Sequence, residues 1–285
     1  MSFRLSQHSP KDARRQSEHQ EPNRIYFIFA EGEKTEIIYF SALATHKRKR
    51  PDVEIRVMDR WAVNKGNSNQ YRVTQEVEAY VNQIKDIDES HTGKLTELVE
   101  KFEQQTWTVE DLLILSKIII DLKQLGLITD AEEALVQVKT ILTMVDYSEG
   151  FDRICIIIDR DLQSFKSFQY DHVLNIADNN EFLLGISAPS FELFLLLHFD
   201  DIADLSKEDV FNNRKSGKIR LLERRLKEKC TELSMKFRKN EYDAEWFIDH
   251  FDIGYANSLT FEKEVQLLKV RAGTSVFELV KEIIE

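Results

Sequence analysis

The run Arg153–Ile158 (RICIII) constrains this chain more than any other stretch. Near-continuous β-branched residues without polar alternation suit a strand buried on both faces, as in a parallel sheet covered by helices. Asp159-Arg160-Asp161 follows at once. Arg24–Ala30 (RIYFIFA) has the same character, Val53–Met58 (VEIRVM) alternates, and Phe182–Ile186 (FLLGI) is a further short apolar run. Helical spacing lies between these strands. Ile37, Phe40, Ser41 and Ala44 share one face after the turn-like EGEKTE, and Val73, Val77, Tyr80, Val81 and Ile84 form a stripe over 71–84. A helix is expected near Phe168–Asn179, and SAPSFELFLLLHF reads as a turn into a buried helix. Strands alternating with helices predict an α/β fold with a mainly parallel sheet flanked by helices. In such sheets the ligand crevice lies beyond the carboxyl ends of the strands. Glu31, Asp159 and Asp161 stand at those ends.

Five segments are expected. Residues 1–23 lack periodic hydrophobicity and read as a disordered tail. Residues 24–84 form the first part of the core and 151–205 the second. Residues 85–150 break the rhythm as an acidic helical insertion with six Lys against fourteen Asp/Glu. Its apolar stretch 112–125 needs a covering surface, either the next helix or another subunit, and Thr129-Asp130 reads as a further helix start. Residues 206–285 read as a helical C-terminal region without a strand signal. The net charge of −11 hides a basic segment, Phe211–Asn240, with eleven Lys/Arg against three Glu. Two cysteines in 285 residues exclude a disulfide scaffold and suit a reducing, cytoplasmic setting. No apolar run approaches the ~20 residues that span a bilayer, so no membrane partner is expected.

Three carboxylates gathered at strand ends repel one another, and a divalent cation relieves that repulsion. Mg²⁺ or Mn²⁺ suits such an oxygen-only set, and a metal so held can serve displacement at a phosphodiester. No Cys/His spacing suggests zinc, and no phosphate-binding glycine loop is present. Arg214, Lys215, Lys218, Arg220, Arg224, Arg225, Lys236 and Arg238 are the candidate contacts to nucleic-acid phosphates. Glu192 opens a very apolar helix, where it either faces the strand ends as a fourth acid or interacts with helix amides. Glu36 reads as a first-turn helix residue, Lys34 as a phosphate contact or a local counter-charge, and His198 as a core histidine.

The order strand–Glu-Gly, then strand–Asp-x-Asp, resembles the Toprim fold of topoisomerases, primases and certain nucleases. A closer resemblance is to the RloB family, whose members carry a Toprim-like core. AEGEKTEIIYF (30–40), FDRICIIIDRD (151–161) and ISAPSFELFLLLHFDD (186–201) carry it, with RAGTSVFELVKEII (271–284) weaker. This chain has Ile37 where the family usually has Pro and Ala188 where it has Asn. The resemblance implies Glu31 as a metal ligand or general acid/base and Asp159 and Asp161 as metal ligands; these three and Glu192 are the candidate catalytic residues. It implies a metal-dependent nuclease acting on DNA or RNA in prokaryotic antiphage defence. The alternative is a non-catalytic partner or sensor subunit that binds a protein, or itself, through residues 85–150.

Overall fold

The computed structural model describes residues 23–32, 34–58, 70–84, 89–124, 138, 141–144, 146–200 and 206–285. Residues 1–22 of the expected tail and the helix start at 129–130 lie outside the described residues.

A five-stranded sheet organises the chain. Four of its strands are β1 (Arg24–Ala30), β2 (Val53–Val57), β3 (Arg153–Asp159) and β4 (Leu183–Ala188). Four two-residue strands follow outside the sheet, paired as hairpins: β5 (Lys215–Ser216) with β6 (Ile219–Arg220), and β7 (Phe237–Arg238) with β8 (Glu241–Tyr242). The fifth strand of the sheet is β9 (Gly273–Thr274). The order is β2-β1-β3-β4-β9. The first four run parallel, and β9 adds an antiparallel edge to β4. The α/β architecture and mainly parallel sheet agree with the sequence reading. From β1 the chain moves outward to β2, then returns to the other side of β1 for β3. The order therefore reverses between β1 and β3, and the crevice of an open α/β sheet belongs at that point.

Alternate residues of the central strands serve two cores, which explains their unbroken hydrophobicity. Tyr26, Ile28, Ala30, Cys155 and Ile157 face one. Ile25, Phe27, Phe29, Ile154, Ile156 and Ile158 face the other. On the first face pack α1 (Thr35–Thr45), α6 (Phe191–Leu196), α7 (Lys207–Asn212), α8 (Leu221–Glu232), α9 (Ala244–Asp249), α10 (Phe251–Ser258) and α11 (Val276–Ile284). On the second pack α2 (Gln70–Ile84), α3 (Glu89–Glu103), α4 (Val109–Gln124) and α5 (Ser167–Asn180). The acidic segment thus shares a core with the sheet: Leu95, Leu98, Leu115, Ile118 and Leu122 join the second cluster. Among the described residues no helix is long and apolar enough to cross a membrane.

Two expectations are corrected. The inward face of α1 is Thr35, Glu36, Tyr39, Phe40 and Leu43, whereas Ser41 is exposed and Ile37 half-buried. The helix is apolar on most sides, so spacing alone did not set its rotation. The C-terminal region also contains strands, since the two hairpins flank α8. Strands of two residues carry no period-2 signal. At β9, Gly273 lies so close to the Glu262 backbone that a Cβ would stand 1.9 Å from the Glu262 oxygen.

Candidate functional site

The site forms where β1 and β3 end. Glu31 N–H donates to Ile157 O at 2.8 Å, which extends the ladder one residue past β1. Its carboxylate then turns toward β3, where Oε2 accepts the Asp159 N–H at 3.1 Å. Asp159 Oδ1 accepts the Phe191 N–H at 2.8 Å, one of the unpaired amides that open α6. Two strand ends and one helix start are thereby joined through two carboxylates.

Two more acids close on this point. Glu36, in the first turn of α1, is only 8% exposed. It lies over Gly32, where a Cβ would stand 2.0 Å from Glu36 Oε2. The glycine therefore makes the space for the carboxylate. Glu192, in the first turn of α6, is 5% exposed. It pairs with Lys239 Nζ from the two-residue loop of the β7–β8 hairpin. Thr35 Oγ1 donates to Lys239 O at 3.0 Å and the Tyr242 hydroxyl donates to Thr35 O at 2.7 Å, tying that hairpin to the start of α1.

Electrostatics follow from this crowding. Asp159 keeps part of its surface in solvent, yet its carboxylate lies deep among neighbouring atoms. Burial first, then Glu36, Glu31 and Glu192, push it well above the usual carboxylate range, with Lys239 opposing. Burial, with Glu192 adding to it, raises Glu36 to about 7 against the pull of a backbone hydrogen bond and Lys239. Burial also acts to raise Glu192, but the Lys239 ammonium prevails and holds it below its ordinary value. Lys239 is raised in turn, because Glu192 outweighs its own desolvation.

The structure gathers Glu31, Asp159 and Glu192. Asp161 is directed elsewhere: Oδ1 accepts the Gln163 N–H at 3.0 Å, and Oδ2 stands 3.4 Å from the Arg220 guanidinium. Between the two aspartates, Arg160 is 4% exposed. It donates to Phe165 O at 2.6 Å and Lys269 O at 3.1 Å, and so anchors the turn rather than the site. Glu33 lies outside the described residues. Lys34 is exposed at the start of α1, so the cation within the cluster is Lys239. Glu36 and Lys239 are the site residues that sequence reasoning undervalued. The Gly32–Glu36 spacing was the available signal for the first; only the hairpin places the second. His198 is a core residue, with Nδ1 against Phe194 O at 2.9 Å and burial lowering it to about 3.

Among the described residues, no group of three or more His, Cys, Asp or Glu is poised around one metal-sized point. The chemistry of the donors still fits a hard divalent cation: Glu31, Glu36 and Asp159 offer oxygens only, and they repel one another. Glu31 and Asp159, with Glu36 beside them, would hold it.

The candidate nucleic-acid contacts divide into two kinds. Arg214, Lys215 and Lys218, on and beside the β5–β6 hairpin, are exposed. Arg224 and Arg225 on α8 both reach Glu228, at 3.9 and 3.5 Å. Lys236 and Arg238 both reach Glu241, at 2.8 and 3.9 Å.

No curated protein and no solved structure matches this chain. The family description "RloB-like protein" matches residues 26–283, from β1 to the last helix. That match covers nearly the whole chain, acid cluster and both hairpins included, and the protein belongs to the RloB-like family.

Proposed function

We propose that this protein is a divalent-metal-dependent nuclease of the Toprim type that hydrolyses phosphodiester bonds of DNA or RNA, with a role in prokaryotic antiphage defence. The observation that carries the reading is the meeting of Glu31 and Asp159 at the point where the strand order reverses. Glu36 and Glu192 stand beside them with one lysine between them. A stable fold has little reason to bury so many like charges together, and a site that takes Mg²⁺ or Mn²⁺ does.

When bound, the ion supplies positive charge to phosphoryl oxygens and acidifies a water. Glu31 and Asp159 would hold it. Glu36 lies beside Glu31 and Asp159, in the first turn of α1, where its carboxylate is placed to take the proton of the attacking water. The exposed cations of the β5–β6 hairpin hold the substrate backbone beside the rim without reading its sequence.

The test is incubation of the purified full chain with Mn²⁺ and either plasmid DNA or structured RNA. Cleavage is expected, and Asp159→Asn should reduce it at least about a hundredfold. Cleavage that survives Asp159→Asn would reject the reading.

A second reading, a binding subunit without catalysis, draws on Val109, Leu113 and Ile120 of α4, which are 74%, 62% and 56% exposed. Apolar side chains clustered on one exposed helix suit a protein partner or a second copy. Light scattering of the wild type and of Leu113→Glu/Ile120→Glu checks for self-association.

A further inference from the structure

A groove opens on the same rim of the sheet, on the β9 side of the acid cluster. Asp159 pairs with Ser187 of β4, and Ser187 pairs with Thr274 of β9. The β9 edge therefore stands two strand spacings, about 10 Å, from Asp159. Ala272, just before β9, floors a cavity of about 390 Å³ between α7 and residues 260–272. A cavity of that order takes a small planar group. Phe211 and Phe261 line it and are half-buried. The exposed Lys207 places Nζ 5.8 Å from the centre of the Phe261 ring, so one face of that ring meets a solvated side chain rather than the core. Val270, 63% exposed, adds apolar surface at the mouth.

Two cations border the rings. Lys207 makes no ion pair among the described residues, and its one contact of this kind is the Phe261 ring. Arg271 meets Glu262 at 3.0 Å while 61% of its side chain stays in solvent. Glu262 is spent within the protein, since it also accepts the Lys263 and Glu264 N–H groups. Just after α7 come Arg214, Lys215 and Lys218 on and beside the β5–β6 hairpin, all exposed. The outer wall of the groove is tied to the turn between the two aspartates, because Arg160 donates to Lys269 O at 3.1 Å. Aromatic faces beside cations are what unpaired nucleotides need: bases stack on the rings and phosphates meet the charges. We propose that this groove holds an unpaired nucleotide of a single-stranded nucleic acid, with its base against Phe211 and Phe261 and its phosphates at Lys207 and Arg271. Glu208 on the same lining offsets one cation, so a lone phosphate gains little there, whereas a strand continues onto the hairpin cations. A base inside a duplex is paired and stacked on its neighbours and does not enter. The proposal rests on the nuclease reading for the kind of polymer and narrows it to single strands; it needs no ion.

Two measurements on the full chain test it, both in chelator so that cleavage does not intrude. The first is anisotropy of a short fluorescein-labelled oligothymidine, beside a duplex of equal length. Phe261→Leu keeps apolar bulk and removes the stacking face. It should weaken strand binding at least about fivefold and leave duplex binding within about twofold. Phe261→Tyr should restore the strand affinity. Lys207→Gln should lower the salt slope of strand binding by about one. An abasic strand of the same charge should bind the wild type and Phe261→Leu alike. Equal losses of strand, duplex and abasic strand in Phe261→Leu mean that the ring only supports the fold, and overturn the proposal. Thymidine monophosphate that competes as well as the strand gives the groove to a small molecule and also overturns it.

The second measurement uses the wild type, so no variant need fold. A strand carrying iodouridine is irradiated on the protein, and the attached peptide is identified by mass spectrometry. Attachment within residues 207–211 or 260–272 is expected. Attachment confined to other segments, or none at a saturating strand concentration, overturns the proposal. A protein that cleaves nothing yet shows the Phe261-dependent preference for single strands loses the hydrolase reading and keeps this one. One that cleaves with Phe261→Leu as the wild type does, and binds duplex and strand alike, does the reverse.

Discussion

Asp159 donates its backbone N–H to Glu31 Oε2 at 3.1 Å, so the carboxylate that ends one strand is oriented by the backbone that ends the next. The Asp159 side chain in turn accepts from the first amide of α6. The placement of Glu31 and Asp159 is thus built into main-chain hydrogen bonds. The same bonds crowd acids in a poorly solvated place. Function and stability should therefore respond in opposite directions when a carboxylate is removed.

For Asp159→Asn, hydrolysis should disappear while the metal-free protein melts no lower than the wild type at neutral pH. Asparagine keeps the Oδ1 acceptor for Phe191 and removes a charge that burial, Glu36, Glu31 and Glu192 all oppose. Calorimetry in chelator checks the melting temperature; a fall of more than a few degrees would contradict this account.

Gly32→Ala should separate folding from activity. The new Cβ would collide with Glu36 Oε2, the far end of a flexible side chain that can swing away. Stability should change by less than about 1 kcal/mol, since no backbone has to move. Cleavage should fall at least about tenfold, because Glu36 loses its seat over the crevice. A denaturant melt beside a cleavage assay reads both.

Glu36 also sets a pH dependence. Its folded-state value is raised from 4.5 to about 7, by burial first. The folded state therefore holds the proton more tightly than the unfolded chain. Its contribution to stability is fully present below 4.5 and is lost as pH rises to about 7. Metal-free protein should lose on the order of 3 kcal/mol across that window from this group. Glu36→Gln should flatten the profile, and urea melts at several pH values measure it.

The basic segment should divide by hairpin and helix. Reversing Lys215 and Lys218 should weaken nucleic-acid binding more than reversing Arg224 and Arg225, because the helical pair already shares Glu228. Removing one cation that touches a phosphate lowers the salt slope by about one, so fluorescence anisotropy over a salt series ranks the residues.

Gly273→Ala should unfold the edge of the sheet. Here the added Cβ meets the Glu262 backbone, which cannot step aside. A loss of at least about 2 kcal/mol is expected, read as a lowered denaturant midpoint.

The sheet and its direction were legible in the sequence, because a strand buried on both faces requires unbroken apolar residues. Arg24–Ala30 and Arg153–Asp159 are such strands. The carboxylates at their ends were legible for the same reason: where the apolar run stops, the chain leaves the sheet. Three things were decided only by tertiary structure. The rotation of α1 was one, since a helix apolar on most sides has no preferred face until Gly32 opens a seat for Glu36. The parting of Asp159 from Asp161 was another. It depends on Arg160 anchoring the turn to Phe165 and Lys269 and on Arg220 arriving from a hairpin 59 residues away. The last was the Lys239–Glu192 pair. Two-residue strands leave no periodic trace, and a charge pair distant in sequence forms only once packing has closed the space between its partners.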